Sequence, residues 1–323
     1  MSEWHGSGLP PSAVVRIRAA TLSDIHFSQL GVPSQLAVES CGLRPVGAVV
    51  GCTAKRLDWG DFGLGEVGCG YVPPRTLRSK NVRTTSYFPP SGVGQRNDTY
   101  FMLGLTSPTM LPLSTSDGTG SSDYVVYADA ASAGWHSAME RMLEEAKGFR
   151  ADGVVDVELS EKRGKGEVHE FVVTGTAVRS DSSTHLGRPF TTTLSGNDVA
   201  KLMAAGWVPA SIVLGLSVAI RHDRFRTRLA RARLTSAREI VGISELVHAA
   251  RQHARQQLGS RTREIGADGA ILTSQLTLSI EERAISRTHH DIFVEARATA
   301  SAIVQFAEGS SRRTKSTSVL PMA

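Results

Sequence analysis

Apolar residues fall three and four apart in two long stretches of the chain. Trp135, Ala138, Met139, Met142, Leu143, Ala146 and Phe149 trace the stripe of a helix buried on one face. Val247, Ala250, Ala254, Leu258 and Ile265 trace a second such helix. Each stripe runs into Ala-Asp-Gly, with Asp152 and Gly153 in the first case and Asp268 and Gly269 in the second. This composition suits a tight structural turn from helix to strand. Beyond the turn the period changes to two: Val155, Val157 and Leu159 alternate, a polar turn occupies residues 162–166, and a strand returns over 168–178. The second stretch predicts strands over 270–280 and 291–304.

Residues 202–220 hold no charge at all. A membrane span needs about 20 apolar residues, but Gly206, Pro209 and Gly215 divide this run. The pattern predicts a short helix over 197–205 with Ser195 or Asn197 at its start. Gly206 stops it in the left-handed conformation that glycine adopts most cheaply, and a strand follows over 207–220. The corresponding run near Gly42 has the same layout but contains Glu39 and Arg44. No transmembrane segment is expected.

Gly42, Pro45 and Gly51 recur as Gly206, Pro209 and Gly215 at a constant separation of 164 positions, whereas Asp152 and Gly153 recur at a separation of 116. These separations predict two copies of one small α+β domain, each in the order helix, strand, helix, strand, strand. The first copy carries about 48 additional residues, the difference between the two separations, between its first strand and its long helix. The expected organisation is an N-terminal tail at 1–22, a first domain at 23–188, a second at 189–307 and a disordered polar tail at 308–323. The insertion, about 57–123, is rich in Gly, Pro, Ser and Thr and reads as a long loop with one hairpin near 100–105.

The order Gly-x-x-Pro-x-x-x-x-x-Gly, helix, Ala-Asp-Gly with two apolar residues, then Gly-Thr-Ala-Val at 175–178, resembles the YbjQ-like family. That family carries a heavy-metal-binding label, and two-copy versions occur in actinobacteria. The resemblance covers about 23–57, 123–179 and 190–306. It implies an α+β fold assembled as a ring, pentameric in single-domain members, and supplies no catalytic residues.

Composition bounds the remaining chemistry. The 323 residues suit roughly two domains, and 41% apolar with 21% charged residues is ordinary for a globular chain. Three cysteines, Cys41, Cys52 and Cys69, form no disulfide framework, and no signal-peptide pattern opens the chain, so a cytoplasmic protein is expected. The cysteines lie too far apart for a short-spaced zinc motif, and His248 and His253 point to different helical faces. Residues 63–68 match GxGxxG, but Pro73 and Pro74 follow where a phosphate-binding helix would have to start. Glu144 and Glu145 are assigned to the polar face of the first long helix, for solvation or ion pairing. Asp152 and Asp268, with Gly42, Gly206, Gly153 and Gly269, read as structural turn residues.

The strongest charge feature is residues 221–238, with seven arginines against Asp223. Phe225, Leu229 and Ala232 keep a helical spacing, so a basic amphipathic helix is expected, with Arg221, Arg224, Arg228 and Arg231 as candidate anion contacts. The first reading is a non-enzymatic, self-associating scaffold or binding protein that needs no cofactor. The alternative is an anion-binding module for nucleic acid or anionic lipid through that helix, and a metal-binding protein comes third.

Overall fold

The computed structural model describes residues 4, 8–23, 27–57, 65–67, 70–72, 114–115, 125–165, 168–182, 188–224, 241–272, 276–284, 289–306 and 319–321. The architecture is mixed α+β. In chain order the elements are α1 (Pro11–Ser23), α2 (Val32–Ser40), β1 (Leu43–Arg56), β2 (Gly65–Val67), β3 (Gly70–Val72), β4 (Ser114–Thr115) and α3 (Val125–Gly148). There follow β5 (Gly153–Arg163), β6 (Val168–Ser180), β7 (Phe190–Thr191), α4 (Gly196–Ala204), β8 (Trp207–Arg224) and α5 (Val241–Glu264). The chain closes with β9 (Gly269–Leu272), β10 (Thr277–Ala284), β11 (His289–Gln305) and β12 (Val319–Pro321).

One sheet has the order β1-β6-β5-β7, and the other β12-β9-β11-β8-β4 with β10 also paired to β11. All pairs in both are antiparallel except β7 on β5 and β4 on β8. β2 and β3 form a separate two-stranded ribbon.

Each long helix lies on one face of its own sheet. The approach is close at Gly51, where a Cβ would collide with the Ala138 carbonyl, and at Gly215, where it would collide with the Ala254 carbonyl. Gly42 and Gly206 carry positive φ angles of 78° and 85°, which explains glycine at the end of each short helix. Ser195 caps α4 by accepting the Asp198 N–H. Asp152 and Asp268 act as clamps: each carboxylate accepts a backbone N–H from the far end of the neighbouring strand, Ser180 in one case and Gln305 in the other, both at 2.9 Å.

Several expectations are corrected. The strand predicted to end at 220 continues to Arg224, so a helix does not begin at Arg221. Residues 221–224 extend the β8–β11 ladder, pairing Arg221 with Ile292 and Arg224 with His289, and that pairing holds them extended. Residues 225–240, with Arg228 and Arg231, lie outside the described residues, as does the hairpin expected near 100–105. The N-terminal tail contains α1, whose Ile17 packs over Gly148 of α3. In the tail expected to be disordered, β12 pairs with β9. Glu145 is wholly buried, because α1 closes over it. Among the described residues no helix is long and apolar enough to cross a membrane.

Candidate assembly interface

The first sheet has two unlike faces. Val49, Gly51, Phe171 and Val173 face α3, while Val50, Cys52, Ala54, Val168, Glu170 and Val172 point the other way and are half-buried or exposed. This second face opens into a groove of about 600 Å³, rimmed by Trp4, Ala13 and Arg16 from the N-terminal segment and by Arg141.

The second sheet has the same two faces with a different outcome. Val213, Gly215, Ala219, Val294 and Ala296 face α5. The opposite face, with Leu214, Leu216, Val218 and Phe293, is buried in the core formed around α3. Val50, Cys52 and Ala54 stand 164 positions before Leu214, Leu216 and Val218, and both sets point away from the long helix that lies on their own sheet. α3 is thus shared, lying on its own sheet and against the second sheet. Trp135 marks the junction, meeting Phe171 edge-on at 5.0 Å between ring centres while Arg297 lies over its face at 4.5 Å.

Around Arg297 the junction is ionic. Glu161 accepts from Arg297 at 3.1 Å and lies 2.8 Å from His169 Nδ1, and Arg163 pairs with Glu281 and, at 3.5 Å, with Glu295. Burial alone would raise the Glu161 pKa. The His169 hydrogen bond and the charges of Arg297, His169 and Arg163 outweigh it, and the carboxyl is held below its ordinary value. Glu161, His169, Glu295 and Arg297 are the more deeply buried members, and removing one of them leaves charge uncompensated where the two sheets meet.

α5 carries a groove of its own on the side away from its sheet. His248, Arg251, Gln252, Arg255, Gln256 and Arg263 line about 780 Å³ along its outer face. Arg251 stands 116 positions after Trp135, and its buried Nε has no hydrogen-bond partner among the described residues. The arginine run at 221–238 is the denser charge pattern in the sequence, and only the fold separates the arginines of α5 into inner and outer ones. Arg261 is an inner one and donates to the Leu214 carbonyl.

The helices also serve the edges of their sheets. Glu145 Oε2 accepts the Val50 N–H at 2.9 Å, and Arg141 donates to the Cys52 carbonyl. On β8, Gln257 accepts the Leu216 N–H at 3.2 Å. Edge groups that would invite stray pairing are thereby covered.

Of the candidate anion contacts, Arg221 sits half-buried on β8 with its guanidinium against Gly242 at the start of α5. Arg224 ends the same strand. The turn residues Gly42, Gly206, Asp152, Gly153, Asp268 and Gly269 occupy the helix ends and strand starts described above.

Comparison with known proteins bears on this geometry. Residues 119–181, which contain α3, β5 and β6, match the model of a family described as "putative heavy-metal-binding". This stretch of the chain is similar to a YbjQ-like domain. A protein of Mycobacterium tuberculosis named as an encapsulin nanocompartment protein is 38% identical over 86 residues. The match takes in 24% of this chain and 33% of that protein, so the chain spans about a third of the length of its curated relative. No solved structure matches.

The metal label does not fit the donors at hand. Among the described residues no group of three or more His, Cys, Asp or Glu side chains is disposed to hold a metal ion. Cys41 donates its thiol to the Val38 carbonyl, and burial pushes its pKa up, which disfavours the thiolate a soft metal needs. The matched stretch is instead notable for a sheet face that no second helix covers among the described residues.

Proposed function

We propose that this protein is a non-enzymatic assembly module. On this reading it consists of two copies of one YbjQ-like domain and adds head to tail to further chains. One observation carries the proposal: α3 covers the open-type face of the second sheet, while among the described residues no second helix covers the equivalent face of the first sheet and no second sheet covers the outer side of α5. A contact made once within the chain thus leaves one acceptor and one donor at opposite ends. Heterologous contacts of this kind propagate until a rotation closes them into a ring.

Two further observations support it. Val32 and Leu36 of α2 are 73% and 61% exposed, on a short helix whose counterpart α4 packs against it through Gly196. A further copy would cover them. The relative from Mycobacterium tuberculosis bears the name of an encapsulin nanocompartment protein. Each chain contributes two units, so a single closed ring holds an even number of them.

The test is light scattering over a concentration series, with wild type and Val172→Asp. Wild type is expected to give a discrete mass several times 34.6 kDa. The variant places a charge in the middle of the open face and is expected to remain at the single-chain mass. A wild type that stays monomeric at all concentrations overturns the proposal.

A further inference from the structure

The outer edge of β5 is covered by the first residues of the second half. Phe190 donates its N–H to Asp152, Thr192 donates to Val154, and Thr192 and Leu194 accept from Val157 and Asp156, all at 3.0 Å. Asp156 stands at a bulge with φ 55°, which turns the strand backbone toward this segment. The Phe190 ring lies where a Cβ on Gly153 would be, so glycine is what admits it.

In the second sheet the matching edge belongs to β9, and β12 lies along it. Val319 is opposite Ile271, Leu320 opposite Ala270 and Pro321 opposite Gly269, running antiparallel where β7 runs parallel. Gly269 corresponds to Gly153.

A segment shaped for that edge exists near the other end of the chain. Residues 27–30 precede 191–194 by 164 positions and have the same local hydrogen bonds. Ser28 Oγ accepts the Leu30 N–H at 3.1 Å, as Thr192 Oγ1 accepts that of Leu194 at 3.1 Å. Gln29 donates its N–H to Thr176 Oγ1 at 3.0 Å, as Thr193 donates to Ser301 Oγ at 2.9 Å. Residues 191–194 lie against a strand edge; Phe27 is 74% exposed.

We infer that residues 27–30 of one chain pair with β9 of the next, and that β12 covers this edge until they arrive. The inference rests on the head-to-tail reading and adds to it the site of strand exchange and the element that regulates it. The incoming partner is a second copy of this chain, because its segment already has the backbone form that docks on β5. An edge strand accepts such an addition through main-chain hydrogen bonds. β12 competes as a tethered strand, so it delays assembly to higher concentration without preventing it.

Sedimentation velocity on the full chain and on a variant lacking residues 319–323 tests this. Loss of a tethered competitor is expected to lower the midpoint concentration of assembly about tenfold. A midpoint unchanged or raised overturns the inference. A second measurement covers a deletion that fails to fold. In a chain with Cys41, Cys52 and Cys69 changed to Ser, Phe27→Cys with Ala270→Cys is expected to give a ladder of disulfide-linked chains on oxidation. Leu320→Cys with Ala270→Cys is expected to close within one chain at low concentration. Assembly with no ladder from the first pair overturns strand exchange and leaves the head-to-tail contact standing. No assembly by the full chain or by the deletion at any concentration removes both.

Discussion

The Arg297 guanidinium lies over the face of Trp135, 4.5 Å from the ring centre, and this pair joins the second sheet to α3. Trp135 is 1% exposed and Arg297 is paired with Glu161, so the stacking is both packed and oriented. Cation–π contacts of this kind contribute about 0.5–2 kcal/mol beyond packing.

Trp135→Ala is therefore expected to cost about 3–5 kcal/mol, the range for deleting a large buried aromatic side chain. Trp135→Phe retains the edge contact to Phe171 and should cost less than half of that. Urea denaturation of both variants gives the comparison. A Trp135→Ala loss below about 1 kcal/mol would mean that the two halves do not meet through this residue.

Glu145 provides a second check on the joint between helix and sheet edge. It is wholly buried, pairs with Arg16 at 2.7 Å and accepts the Val50 N–H. Glu145→Leu leaves that donor without an acceptor, a loss of about 1–3 kcal/mol. Glu145→Gln retains an acceptor and should lose less, so the order Leu worse than Gln in thermal unfolding is the result to look for.

The sequence made some of this legible and concealed the rest for physical reasons. Gly51 and Gly215 are visible because close approach of a helix to a strand admits only glycine, and spacing along the chain finds them. The alternation in β5 and β6 and the stop at Gly206 follow from local rules of the same kind. Glu145 is not visible: a carboxylate one turn from Arg141 reads as solvated, and only the fold places α1 over it. Arg221 misleads, because a basic run with three-four spacing favours a helix locally, whereas ladder pairing with β11 wins through Arg224. The outer face of α5 is concealed by its own composition, since Arg251 and Arg261 look alike until a sheet covers one side.

Two groups make stability depend on pH in the same direction. The Glu161 carboxyl is depressed, so its contribution is complete above the unfolded value of about 4.5 and is lost as pH falls through the folded one. His253, half-buried beside Ser217, is also depressed, here by desolvation. Its contribution is complete above the unfolded value of about 6.5 and is lost as pH falls below it. Unfolding free energy measured from pH 8 downward should begin to decline below about 6.5 and decline again below about 4.5. His253→Asn should remove the first decline and Glu161→Gln the second.

The close approaches at Gly51 and Gly215 predict matched effects in the two halves. An added methyl meets a helix carbonyl in each case, Ala138 or Ala254, and a backbone atom cannot rotate away. Gly51→Ala and Gly215→Ala are each expected to cost about 1–3 kcal/mol or more through overpacking. Calorimetry that found one variant strongly destabilised and the other neutral would show that the two helices do not sit on their sheets in the same way.

The last prediction concerns the contact between chains. If α5 of one chain covers the first sheet of the next as α3 covers the second sheet, Arg251 takes the place of Trp135 and lies over Val172, the position of Arg297. Glu170, which takes the place of Glu295, is then within reach of Arg251 and Arg255. The open face also carries Glu158, Lys162 and Arg56, so its net charge is near zero and the pairing must be local. Long arginine stems cover the valines while their heads reach the carboxylates at the rim. Arg251→Glu and Glu170→Arg should each raise the concentration needed for assembly, by about tenfold for a lost charged pair of 1.4 kcal/mol. Together they should restore most of it. A double variant that assembles no better than the worse single one would place Arg251 away from Glu170 and exclude this geometry of the ring, even if light scattering finds an oligomer.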